Sequence, residues 1–196
     1  MVAAFAAVSM NAQVYVGGML GLETQNKLSD SKGEASGMTF QIKPEIGYWL
    51  DENMAVGISL GFGTTDNGNF INPETGSAFS KGKKLDKSAT QFTIAPYFRY
   101  NVLSFDKVNV FCDGVIGYTL NQLDSDNKVS HFGIHVVPGV AVNLNDKLSF
   151  VTKLGNGLGW SSKKATIMGV DGESQSTIGL DLNSLAGLQF GLYYNF

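Results

Sequence analysis

Residues 40–62 read FQIKPEIGYWLDENMAVGISLGF, and this stretch decides the fold. Phe40, Ile42, Ile46, Tyr48 and Leu50 fall on one face, with Pro44 among them. Gln41, Lys43, Glu45, Gly47 and Trp49 fall on the other. A period of two belongs to the β-strand, whose side chains point alternately to opposite faces. After the polar Asp51-Glu-Asn53 the alternation resumes, with Met54, Val56, Ile58, Leu60 and Phe62 against Ala55, Gly57, Ser59 and Gly61. Pairing Leu50 with Met54 across this turn sets Tyr48 opposite Val56 and Ile46 opposite Ile58. The apolar face then stays on one side of the sheet, and a slip of one residue would invert it.

The same pattern recurs outward along the chain. Phe92, Ile94, Phe98, Tyr100 and Val102 alternate with Thr93, Ala95, Tyr97, Arg99 and Asn101. Leu188, Phe190, Leu192, Tyr194 and Phe196 alternate with Gln189, Gly191, Tyr193 and Asn195. Weaker alternation marks residues 13–24, 107–122, 130–144 and 148–160. Eight strands of roughly 10–15 residues result, where soluble sheets average about 5–6 and a tilted membrane-crossing strand needs about 9–11. The connections alternate as well. Residues 51–53, 103–106 and 145–147 are short turns, while those near 25–38, 65–88, 123–129 and 161–184 are long and polar. Outer-membrane barrels order short periplasmic turns and long external loops in this way. Across the other short turns, Leu144 pairs with Leu148 and Val142 with Phe150, and Val102 pairs with Val108 and Tyr100 with Val110. The last pairing places Arg99 near Phe111, with Asp113 one inward step away.

Composition narrows the class. The chain of 196 residues is 43% hydrophobic, 16% charged and holds 24 Gly, so it is poor in charge and rich in glycine beside soluble domains. One Cys excludes a disulfide scaffold and a Cys-based zinc site, and a net charge of −3 offers nucleic acid no basic surface. Cys112 falls on the apolar face as an inert residue. No window approaches the 18 apolar residues of a transmembrane helix. Met1 to Ala12 is a short apolar run ending in small residues, expected as a partial signal peptide, with 13–196 as the barrel domain. The rival reading is a short buried N-terminal helix or strand.

Orientation follows from charge. One face is continuously Phe, Ile, Leu, Val and Tyr, while the other carries Lys43, Glu45, Arg99, Asp113, His135 and Lys153 among many glycines. A small soluble barrel burying these charges would face a heavy desolvation cost and display a large apolar surface to water. Turning the apolar face to lipid and the charges into the lumen removes both difficulties. The expectation is an all-β, eight-stranded antiparallel up-and-down transmembrane β-barrel. Aromatics sort into two levels on the apolar face. Phe40, Phe62, Phe92, Tyr118, Phe132 and Trp160 sit toward the long loops, and Tyr48, Tyr100, Phe150, Tyr194 and Phe196 toward the short turns. Phe40 to Tyr48 spans about 21 Å at ~3.4 Å per residue and ~40° tilt, close to the apolar band of such barrels. These two girdles belong where amphipathic rings meet the headgroups.

The ending Leu188-Gln-Phe-Gly-Leu-Tyr-Tyr-Asn-Phe196 resembles the terminal strand of outer-membrane β-barrels. Residues 13–196 resemble the small outer-membrane protein β-barrel domain family, in architecture and terminal signature. The resemblance implies a bacterial outer-membrane location. It also implies recognition of Leu192, Tyr194 and Phe196 by the barrel-assembly machinery.

Eight strands leave an interior just wide enough for side chains to fill, whereas a diffusion pore needs about 16–18. The inward charges are therefore expected to form a bonded plug: Arg99 with Asp113, and Lys43 and Glu45 with partners such as Glu23 and Lys153. Inward glycines make room for Trp49, Phe111 and Tyr97. No catalytic residue, metal site or cofactor is assigned. His131 and His135 lack a serine–acid set in reach and a third metal ligand, and Gly155-Asn-Gly-Leu-Gly159 lacks the helix a phosphate loop needs. The run Lys81-Gly-Lys-Lys84 reads as a solvated loop tip or a contact for lipopolysaccharide. Asp171-Gly172 reads as a type I′ hairpin extending strands seven and eight. The functional expectation is a structural or surface-interaction barrel that contacts outer-membrane lipid, lipopolysaccharide and a host or surface ligand through its loops. The alternatives are a narrow channel or transporter for small or hydrophobic solutes, and an envelope lipid-modifying enzyme.

Overall fold

A computed structural model describes residues 14–26, 36–65, 89–122, 125–154, 157–181 and 188–196. The expected signal segment 1–12, the basic run at 81–84, most of the first two long loops and the side chain of Glu23 lie outside the described residues. Every described element is a strand: β1 (Val14–Asn26), β2 (Ser36–Trp49), β3 (Met54–Thr65), β4 (Ala89–Ser104), β5 (Val108–Gln122), β6 (Lys128–Asn143), β7 (Leu148–Leu154), β8 (Gly157–Ile167), β9 (Val170–Asp171), β10 (Gln175–Asp181) and β11 (Leu188–Asn195).

Each strand from β1 to β6 pairs antiparallel with the next. β6 pairs with β7 through Gly139–Asn143 and with β8 through Lys128–Val136, so β7 and β8 form one wall strand, the seventh. β10 and β11 pair with β8 and β7 in turn and make the eighth. β11 then returns to β1, from Tyr15↔Asn195 to Gly21↔Gln189, and closes an eight-stranded antiparallel barrel. Closure removes the unpaired edge that hydrocarbon cannot tolerate.

Apart from the end of the β4–β5 ladder beyond Asn101 and the β8–β9 hairpin, the pairings link residues of like parity, so the odd-numbered side chains point inward along the barrel wall. Ile42, Ile46, Phe62, Phe98, Ile116, Ile134 and Leu192 form part of an outward apolar belt. Two of the short turns are locked by their own side chains. Asp51 Oδ1 accepts the backbone N–H of Asn53 and of Met54, both at 2.8 Å. Asn145 Oδ1 likewise accepts from Lys147 and Leu148, at 2.9 and 2.8 Å. Such Asx turns satisfy donors that the strands leave over, and both keep the register expected around them.

Two expectations are corrected. The register of β4 with β5 differs: Tyr100 faces Cys112 rather than Val110, and a bulge between Asn101 and Leu103 absorbs the change. The chain turns at Asp106-Lys107, where Phe105 and Val108 exchange backbone hydrogen bonds, and the bulge then shifts the ladder by one residue, which sets Arg99 directly opposite Asp113. The expected extension of strands seven and eight is present, since β8 runs to Ile167 and β10 spans Gln175–Asp181. The hairpin turn itself is Met168-Gly169, with φ of 50° and 74°, and not Asp171-Gly172. Two successive positive φ values are the type I′ signature. Asp171 lies within the ladder, opposite Thr166.

Candidate functional site: a charged knot in the lumen

Four charged side chains from four strands meet inside the barrel. Arg99 on β4 donates Nε to Asp113 Oδ1 at 2.7 Å and Nη2 to Oδ2 at 2.8 Å. Lys153 on β7 bridges both anions, 2.9 Å from Glu45 Oε1 and 3.1 Å from Asp113 Oδ2. Tyr193 on β11 donates its hydroxyl to Glu45 in a short hydrogen bond, and Arg99 Nη2 reaches the same hydroxyl at 3.4 Å. Two cations and two anions cancel, and the geometry is of the planar, two-pronged kind that makes Arg–carboxylate pairs strong. All four are nearly inaccessible, Arg99 at 1% and Asp113 at 0%. Ions so buried persist only when each is paired, because desolvation alone costs several kcal/mol per ion.

Aromatic rings complete the layer. The Arg99 guanidinium lies 3.8 Å from the centroid of Phe111, with Tyr193 at 5.2 Å and Tyr97 at 5.5 Å. Lys153 Nζ stands 4.8 Å from the Tyr97 ring. Tyr15 stacks on Tyr193 at 5.2 Å and shares a 2.7 Å hydrogen bond with the Tyr97 hydroxyl. These rings lie flat because their cross-strand neighbours have no side chain. A Cβ on Gly47 would strike the Tyr15 ring, and one on Gly139 would strike Phe111.

The remaining inward residues stand apart from this knot. Lys43 lies one inward step above Glu45 on β2, outside the ion pairs just described. His135 lies toward the loops over Gly133 and Gly159, its ring 6.3 Å from that of His131. Further toward the loops than Lys43, Gln41 Nε2 donates to Thr93 Oγ1 at 3.3 Å, and Thr93 shares a 2.9 Å bond with Thr119. Among the described residues, no group of three or more His, Cys, Asp or Glu is placed to hold a metal ion. The girdle residues Phe40, Tyr48, Phe92, Tyr100, Tyr118, Trp160 and Tyr194 are even-numbered and lie on the outer face. Phe62 packs on Phe92 at 5.4 Å, Phe132 on Trp160 at 6.0 Å, and Tyr194 edge-on to Phe196 at 5.1 Å. Leu192, Tyr194 and Phe196 are exposed outward on the last strand.

Sequence reading did not single out Tyr15 and Tyr193 as parts of this layer. Their odd numbers put them on the inner face, but their depth depends on how β1 meets β11, a pairing between the two ends of the chain.

No curated protein sequence gives a significant match. Among solved structures, the chain is similar to neisserial surface protein A (NspA), at 14% identity and a TM-score of 0.47, over 93% of this chain and 97% of that one. It is also similar to OmpT, an outer membrane protein of Vibrio cholerae, at 12% identity and 0.34, over 95% of this chain and 53% of that one. The profile of the outer membrane protein beta-barrel domain matches residues 1–196 in full. With that match joined to a closed barrel whose apolar belt faces outward, the chain belongs to the outer-membrane protein β-barrel domain family and resides in the bacterial outer membrane.

Proposed function

We propose that this barrel is closed to solutes and serves the outer membrane as a structural or surface-interaction protein rather than as an enzyme. The supporting observation is the layer of Arg99, Asp113, Lys153 and Glu45 tied to Tyr15, Tyr97, Phe111 and Tyr193. An eight-stranded wall encloses little more than such a layer. Charges held by one another in this way are spent on packing rather than poised for chemistry. Lipid and lipopolysaccharide surround the outer belt, and the barrel-assembly machinery reads Leu192, Tyr194 and Phe196. Any host or surface ligand is met by the long loops.

A narrow channel is the second reading. The polar chain of Gln41, Thr93 and Thr119 on one side of the knot favours it. Single-channel recording of the purified protein in planar bilayers separates the two. The closed reading expects a silent membrane, and steady unitary conductance would replace it with the channel.

A further inference from the structure

On the short-turn side of the knot the barrel opens into a bowl of about 710 Å³. Its floor is Phe111 and the Arg99 guanidinium already committed to Asp113. Its wall includes Trp49 and the amides of Asn101, Asn109, Asn143 and Asn195. Its rim carries Asp51, Glu52, Asp106 and Asp146, with Lys107 as the one lysine among the described lining residues. The field in the bowl is therefore negative, and a cleft of one sign concentrates ions of the other.

An independent observation points to what the bowl lacks. Asn101 is only 7% exposed, and its Oδ1 has no hydrogen-bond partner among the described residues. Its amide nitrogen makes one long bond, 3.4 Å, to the carbonyl of Glu52. A buried carbonyl oxygen without a donor is costly, of order 1–3 kcal/mol. Trp49 and Phe111 supply aromatic surfaces of the kind that attract cations. The Trp49 indole is held in place, packed against Tyr15 at 5.6 Å with its N–H toward Asn195 Oδ1 at 3.4 Å.

We propose that this bowl is a binding site for an organic cation with a primary ammonium head. The ammonium donates to Asn101 Oδ1, its alkyl stem lies along Trp49, and the carboxylates of the rim balance its charge. A quaternary ammonium has no N–H to give Asn101 and is disfavoured. The site does not depend on whether the lumen conducts, since Asn101, Trp49 and the rim carboxylates that form it all lie on the short-turn side of the knot.

The chain has two tryptophans, so a Trp160→Phe background leaves Trp49 as the sole indole reporter. This protein, folded in detergent, is titrated at constant ionic strength with 1,5-diaminopentane, with Nα-acetyl-lysine amide and with tetramethylammonium. Saturable change in Trp49 emission is expected with the diamine. Tetramethylammonium should bind about tenfold more weakly or worse, the loss of a hydrogen bond to a charged group. Equal response to the lysine amide assigns the head to a lysine side chain, and response to the diamine alone assigns it to a free polyamine. Either supports the site. Asn101→Leu should weaken binding about tenfold. Asp106→Asn with Asp146→Asn, lying in exposed turns where folding is not at stake, should weaken it several-fold. No saturable response, equal binding of tetramethylammonium, or unchanged affinity in both variants overturns the proposal.

Discussion

Arg99 lies on the face of Phe111, 3.8 Å from the ring centroid, while its guanidinium grips Asp113 on the same strand as that ring. Phe111 and Asp113 are successive inward residues of β5, so one side chain from β4 is held by an aromatic floor and an anionic clamp together. The contact unites burial, charge pairing and ring geometry at one point, and the barrel interior is organised around it.

Removing the clamp alone should be costly. Asp113→Ala leaves Arg99 buried beside Lys153 with a single carboxylate, Glu45, for both, and is expected to destabilise the barrel by about 3–5 kcal/mol. Replacing both partners, as Arg99→Met with Asp113→Leu, should recover most of that loss. Urea unfolding in lipid vesicles measures both. A single variant within ~1 kcal/mol of the parent would show that water reaches the knot.

Gly47 should tolerate no side chain while Tyr15 is present. All three atoms nearest to a Cβ at Gly47 belong to the Tyr15 side chain, two of its ring and its hydroxyl oxygen. Gly47→Ala is expected to cost about 1–3 kcal/mol, the usual penalty of overpacking. In a Tyr15→Leu background the same change should cost much less. A double-mutant cycle with no coupling energy would contradict the stacking.

Ile58 points outward, between Ile46 and Pro96 of its neighbours. Ile58→Arg places a charge in hydrocarbon and should cost about 2–4 kcal/mol. Ser59, one residue along, faces the lumen across from Glu45, and Ser59→Arg should be milder. Comparable loss in the two variants, read by the same unfolding transitions, would argue against the orientation of β3.

The hairpin beyond the membrane carries a pH dependence of its own. Hydrogen bonds from Lys164 and Thr166, and then the Lys164 charge, hold the Asp171 carboxyl below the usual carboxylate range. A carboxylate whose folded value is depressed contributes stability above its unfolded value and loses it as pH falls through the folded one. The hairpin contacts of Asp171 should therefore persist at neutral pH and loosen as the pH falls below the ordinary carboxylate range. An NMR titration should find the Asp171 midpoint lower than in a Lys164→Met variant. Coincident midpoints would dismiss the pairing.

Much of this was legible from alternation. The parity of residues 40–62 already separates Glu45 from Ile46 and Lys43 from Ile42, and the same rule sends Arg99, Asp113 and Lys153 inward. Turn chemistry was less so. Asp171-Gly172 has the composition of a type I′ turn, yet Met168-Gly169 adopts it, because β8 continues to Ile167 and the ladder demands the bend there. The bulge between Asn101 and Leu103 left no mark in the local pattern, and together with the tight turn at Asp106-Lys107 it sets Arg99 opposite Asp113.

Alternating polarity and the terminal Phe-Gly-Leu-Tyr-Tyr-Asn-Phe196 settled, without coordinates, that the chain forms strands, that they close on themselves, and which side of each faces lipid. These properties are local, since a strand's two faces are written into every second residue. The meeting of Glu45, Arg99, Asp113, Tyr193 and Lys153 is of another kind. It depends on the stagger of strands far apart in the chain, which is a sum of turn lengths and bulges, and a change of two residues in that sum moves each partner by a full inward step. Only the closed barrel brings that sum to a definite value.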